Sequence, residues 1–156
     1  MRWGTLRSHG FDWITALTAP QVKRLARGGE LQLSLFDERD LAEIHGADFP
    51  GERLVVCRNP HVAQERRQRR EELLAATERL LAAVKRSVDS ERGRLHRAPA
   101  GLIGERVGRD VNRYKVAKHL ELTIADGRFE YARKVEQIAA EAALDGFYVL
   151  RTSLGE

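Results

Sequence analysis

The chain has 156 residues, a length that suits one domain with a sizeable buried core. With 42% hydrophobic and 32% charged residues it reads as soluble and globular rather than disordered, and a formal charge of +4 argues for a polyanionic partner only where it is clustered. The lone cysteine, Cys57, excludes an internal disulfide and suits a reducing cytoplasm.

The first seven residues, Met1 to Arg7, lack the apolar core of a signal peptide, and no apolar run approaches the roughly 20 residues that span a bilayer. The expected setting is therefore the cytoplasm, with no membrane partner. In chain order, Phe11–Leu17 is rich in β-formers and predicts a strand. Thr18, Ala19 and Pro20 open a short helix through Arg27, which Gly28-Gly29 stops. Leu31, Leu33 and Leu35 alternate with Gln32 and Ser34, a weak strand signal, and the apolar run Leu54–Cys57 predicts another strand.

Asn59-Pro60 combines an N-cap with a first-turn proline and predicts a helix from about residue 60 to 90. Its apolar stripe is Leu73, Leu80, Val84 and Val88, with Leu74 and Leu81 alongside. The first half, residues 65–72, is nearly all charged and should project from the core or meet a polyanion. A loop spans Gly93–Pro99. A second helix follows, with Ile103, Val107 and Val111 on one face and Arg106, Arg109 and Arg113 on another. Residues 119–124 alternate, Asp126-Gly127 turns the chain, and Phe129–Tyr131 returns as the second arm of a hairpin. Val135, Ile138, Ala139 and Ala142 mark a short amphipathic helix, and the apolar run after Gly146 predicts a buried strand. The class is α/β in the mixed α+β sense, a single domain over 1–156.

The charge is local. Residues 93–119 hold seven cations (Arg94, Arg97, Arg106, Arg109, Arg113, Lys115 and Lys118) against Glu105 and Asp110 alone. Such a patch can pair with phosphates and release counterions, or it is a solvated helix face. Arg106, Arg109, Arg113, Lys115 and Lys118 are the candidate DNA contacts. The Arg66–Arg70 run is weaker, because neighbouring glutamates neutralise it at helical spacing. Cys57, His61 and His45 suggest half a zinc site but lack a second ligand pair, and they form no Cys–His nucleophile. Gly104 and Gly108, four apart, have no membrane context, and neither a P-loop nor a Rossmann fingerprint occurs.

Six stretches together resemble the middle of a bacterial insertion-sequence transposase of the DDE group. They are Phe11–Leu17, Leu31–Ile44, Pro50–Pro60, Arg69–Glu78, Ile103–Val116 (IGERVGRDVNRYKV) and Ala143–Leu154 (ALDGFYVLRTSL), the last two being the most specific. The resemblance implies an incomplete RNase H-like fold, DNA as partner and metal-dependent strand cleavage and transfer. In such enzymes two Asp and one Glu hold two Mg²⁺ or Mn²⁺ ions that activate the nucleophile and stabilise the leaving oxygen. By position Asp145 matches the second aspartate, as catalytic residue and metal ligand; on its own residues alone it is a turn aspartate in Asp-Gly.

Two departures follow. Asp12 and Asp37 do not sit in the Asp-Arg-Gly context of the family's first carboxylate. None of Tyr114, Tyr131 or Tyr148 begins the Tyr-x2-Arg-x3-Glu-x6-Lys signature of its glutamate helix. Glu136 and Glu141, the nearest acids, lie on the helix before Asp145. The expectation is an internal fragment that binds DNA, holds no stable metal and does not transpose alone, partnered by a full-length transposase or by itself. The alternative is a non-enzymatic basic DNA-binding or regulatory module. A coiled-coil protein fits less well, because the apolar stripe occupies only half of the long helix.

Overall fold

A computed structural model describes residues 9–36 and 39–154; Met1–Arg7, read for a leader, and Asp37, weighed as a carboxylate, lie outside them. The described chain is mixed α+β with two antiparallel sheets and four α-helices, in two units. One unit takes the chain to Gln64 and again from Leu144; the other is the continuous segment Glu65–Ala143.

The first unit contains β1 (Ile14–Ala16), α1 (Ala19–Gly28), a 3-10 turn (Leu33–Phe36), β2 (Leu41–Ile44), β3 (Arg53–Arg58) and β6 (Phe147–Thr152). Its sheet runs β1-β6-β3-β2, so the last strand in sequence lies inside, between β1 and β3. Cys57 faces Tyr148 and Ile14 faces Thr152 across antiparallel ladders. Leu54, Val56 and Val149 turn to a core with Val22, Leu25, Leu31, Phe36, Ile44 and Phe49. The edge of the Phe36 ring meets Phe147, with centroids 5.0 Å apart. At the start of α1 the Thr18 N–H and hydroxyl both donate to Gln21 Oε1, at 2.9 and 2.8 Å, and Gly29 ends the helix at φ +86°.

Leu31, Leu33 and Leu35 do not form a strand. Leu31 (3% exposed) and Phe36 (1%) reach the core while Leu33 points outward, so the alternation does not mark one face and the chain coils as a 3-10 turn. The β1 ladder covers three residues rather than seven, although Leu17 N–H donates to Val149 O (2.8 Å) and Ser153 N–H to Trp13 O (3.2 Å) just beyond it. Strand β2 was not expected from the sequence. As an edge strand it buries only Ile44 and leaves Leu41 in solvent, so its apolar residues do not alternate as one buried face.

Helix α2 is Pro60–Asp89, its Asn59 cap accepting from Val62 N–H through Oδ1 at 3.2 Å. In the second unit its buried stripe is Leu74, Thr77, Leu81, Val84 and Val88, alternating three- and four-residue steps. The stripe is turned from the one expected, with Leu73 and Leu80 half-buried, because Thr77 occupies a core position. Its hydroxyl donates to Leu73 O at 2.8 Å, which removes the cost of burial. Helix α3 (Ala100–Asn112) contributes Ile103, Val107 and Val111 to this core, as expected.

Strands β4 (Leu120–Ala125) and β5 (Arg128–Arg133) form the expected hairpin. Its two-residue turn needs Gly127 at φ +63°, and β5 places Phe129 fully inside. Helix α4 is Val135–Ala142, with Ile138 against the core and Val135 in solvent. Among the described residues no helix is long and apolar enough to cross a membrane.

Gly146 carries a specific constraint. It sits at φ +79°, and a Cβ there would strike the Asn59 carbonyl oxygen and the Ala63 methyl at the start of α2. Gly146→Ala is expected to destabilise the protein by more than about 1 kcal/mol, since strain at positive φ and backbone overlap add. A urea melt monitored by circular dichroism reads this, and an unchanged midpoint would contradict it.

Candidate functional site

Two places merit examination, the turn that holds Asp145 and the basic face of the second unit. Asp145 lies in the turn between α4 and β6, half-buried, two residues before the strand. Its neighbour Gly146 accepts the Asn59 N–H at 2.9 Å through its carbonyl. The Asp-Gly pair thus has a local task, turning the chain beside the N-terminus of α2. Among the described residues no three His, Cys, Asp or Glu side chains gather as a metal-binding group.

The basic face is built on α3 and the turn after it. Arg106 Nε approaches Asp110 Oδ2 at 3.2 Å, within ion-pair distance but not aligned as a hydrogen bond. Arg109 Nη2 donates to Glu105 Oε1 at 3.1 Å. Both pairs are four residues apart on the helix; the Arg109–Glu105 pair is exposed on both sides and contributes only a few tenths of a kcal/mol, whereas Asp110 is a buried carboxylate that Arg106 faces from the surface. Arg113 stands over the Tyr114 ring, 5.6 Å from its centroid, and Lys115 follows in a left-handed turn at φ +57°. Lys118 is drawn away. Its Nζ donates to both Glu141 oxygens, at 2.9 and 2.7 Å, and His119 Nε2 lies 2.9 Å from the same carboxylate. The five predicted contacts therefore divide, with Arg106 and Arg109 on α3, Arg113 at its C-terminal cap, Lys115 in the turn after it and Lys118 paired with an acid on α4.

A groove of about 370 Å³ opens beside these arginines. Val84 of α2, Leu95 of the connecting loop and Leu102 of α3 give it an apolar floor; Arg94, Glu105, Arg106 and Arg109 stand around it. Sequence reasoning counted Arg94 in the local charge but had no means of joining it to Arg106. The loop brings them together, held by Leu95 N–H donating to Ser87 Oγ at 3.4 Å.

The charged first half of α2 is exposed through residues 64–69, in keeping with its expected projection. Further along, Arg133 of β5 forks onto two glutamates of α2. Its Nε and Nη2 donate to Glu78 at 2.6 and 2.7 Å, and Nη1 donates to Glu71 at 2.7 Å. These carboxylates hold the guanidinium proton more tightly than usual, and the Arg133 hydrogen bonds hold the Glu78 carboxyl below its ordinary range against the opposing effect of burial.

Comparison with family models, curated proteins and solved structures returns no match to this chain. Its functional reading rests on its own residues.

The Arg133 fork gives a pH dependence. Glu78 has a lower pKa folded than unfolded, so its contribution is fully present above the unfolded value near 4.5 and is lost as pH falls through the folded one. Arg133→Leu should cost about 1.5–3 kcal/mol at neutral pH, the range for hydrogen bonds to charged groups, and should flatten the loss of stability below about pH 4.5. Urea melts across that range test this, and parallel pH profiles for the two proteins would refute it.

Proposed function

We propose that this chain serves DNA transposition as a DNA-binding segment of a DDE insertion-sequence transposase, with the RNase H-like architecture which that reading implies. Supporting it are the six stretches that resemble the family and one structural observation, the exposed row of Arg106, Arg109 and Arg113 along α3. Glu105 is a weak partner for the exposed Arg109, and a phosphate displaces it at little cost, whereas Arg106 meets a phosphate while it keeps facing the buried Asp110 carboxylate. Contacts of this kind bind duplex DNA without reading its sequence, because they reach phosphates rather than base edges. Lys115 extends the row, and Lys118 joins it only by leaving Glu141.

Catalysis is a separate matter. The family chemistry needs carboxylates enough to fix two ions, Mg²⁺ or Mn²⁺, and bridge them; Asp145 supplies one. We therefore assign binding to the chain on its own, and cleavage to an assembly that supplies the other two carboxylates, such as a full-length transposase. The local task of Asp145-Gly146 as a turn favours a second reading, a non-enzymatic DNA-binding or regulatory module.

Replacing Arg106, Arg109 and Arg113 together by Gln should weaken binding to duplex DNA and lower the slope of log affinity against log salt by about 3, roughly one per lost phosphate contact. A gel-shift titration at several salt concentrations measures both, and unchanged binding would make the row a solvated helix face. With supercoiled plasmid and Mg²⁺ or Mn²⁺ the chain alone should not nick DNA above background. Nicking that vanishes in Asp145→Asn would overturn this and assign Asp145 a catalytic role.

A further inference from the structure

The groove between Val84, Leu95 and Leu102 has a chemistry that phosphate binding does not use. A DNA backbone needs the arginines and leaves an aliphatic floor idle, yet Leu102 on that floor is 48% exposed. An unpaired base would use an apolar surface, but unpaired bases are held chiefly by stacking on aromatic rings, and no aromatic side chain lines this groove. Aliphatic floor and arginine rim together match a ligand that presents aliphatic side chains and carboxylates at once. Arginine forks carboxylates bidentately, as Arg133 does with Glu78 and Arg151 does with Glu52 within this chain. The volume lies within the roughly 300–1,000 Å³ of ligand clefts.

We infer that this groove receives an acidic amphipathic segment of a protein partner, whose aliphatic side chains cover Leu95 and Leu102 above the buried Val84 and whose carboxylates pair with Arg94, Arg106 and Arg109. The segment is helical in the simplest case, with anchors at i, i+3 or i+4, and i+7. Glu105 sets its orientation, because a carboxylate beside it is repelled while one beside Arg94 is not. The weak Arg109–Glu105 pair exchanges for the partner's carboxylate at little cost. The partner and DNA then share Arg106 and Arg109, so the segment displaces DNA; this competition rests on the DNA-binding reading above, whereas the docking itself does not.

The test uses a fluorescent synthetic helix with leucines at those spacings and glutamates between, and a scrambled peptide of the same composition. Anisotropy titrations on the full chain should show the patterned peptide binding at least about tenfold tighter than the scrambled one, a difference of about 1.4 kcal/mol. Leu102→Asn and Arg94→Gln should each remove most of that preference, while Leu102→Asn leaves duplex affinity unchanged. Circular dichroism of both variants checks that they fold, which the exposure of both residues favours. Equal binding of the two peptides, or none, overturns the inference. So does a single-stranded oligonucleotide that loses affinity on Leu102→Asn while the peptide does not, since the floor would then serve a base. Duplex binding in the absence of peptide decides the DNA reading separately. Peptide that binds as described without displacing bound duplex overturns the shared-arginine competition alone.

Discussion

The hydrogen bonds that β6 makes to β1 on one side and β3 on the other hold the first unit together. Among the described residues no other strand joins the N-terminal β1 to the β2-β3 pair. Removing β6 would leave two unpaired ladder edges and take Val149 out of the core. The approach to that strand is equally constrained, because Gly146 must pass the carbonyl of Asn59 and the methyl of Ala63. The start of the long helix and the start of the central strand are thus fixed by one turn. The Asp-Gly dipeptide that looks catalytic by resemblance has a geometric role whatever else Asp145 does.

The second unit is organised by a different balance. Its core is a stripe from α2, a stripe from α3 and one face of a hairpin, closed over Phe129. Around it the charges sort by distance from solvent. Arg133 is bound on several sides and serves structure. Arg106 and Arg109 pair with acids on their own helix, and the Arg109–Glu105 pair, exposed on both sides, is too weak to retain its arginine against a stronger partner. This difference in commitment, rather than the total charge, separates arginines that build the fold from arginines open to a ligand.

Much of the order of elements was legible in the sequence. Caps and turns carried the most, since Asn59-Pro60 and Asp126-Gly127 impose backbone conformations that few other sequences satisfy. The apolar run after Gly146 announced an interior strand for the same local reason, its position in the sheet following from pairing. What escaped depended on pairing and packing rather than on the local preferences of the chain. Edge strand β2 buries one residue, Thr77 takes a core place that a hydrophobicity count denies it, and the leucines at 31, 33 and 35 alternate without sharing a face. At the site, the arginine row on α3 was readable from helical spacing. The groove was not, because Arg94 joins it through a loop, and the pairing of Lys118 with Glu141, far along the chain, carries no local signal.

The two units differ in continuity, and this bears on how the protein is made. The second is one uninterrupted segment, whereas the first is divided, its central strand arriving about ninety residues after β3. During synthesis at roughly 5–20 residues per second, β3 waits on the order of ten seconds with one edge unpaired while the whole second unit emerges. That interval leaves time for the continuous unit to fold first, and it exposes the Leu54–Cys57 run to other nascent chains and to chaperones. A ribosome that stalls before Gly146 would release a protein with its arginine face assembled and its sheet unclosed.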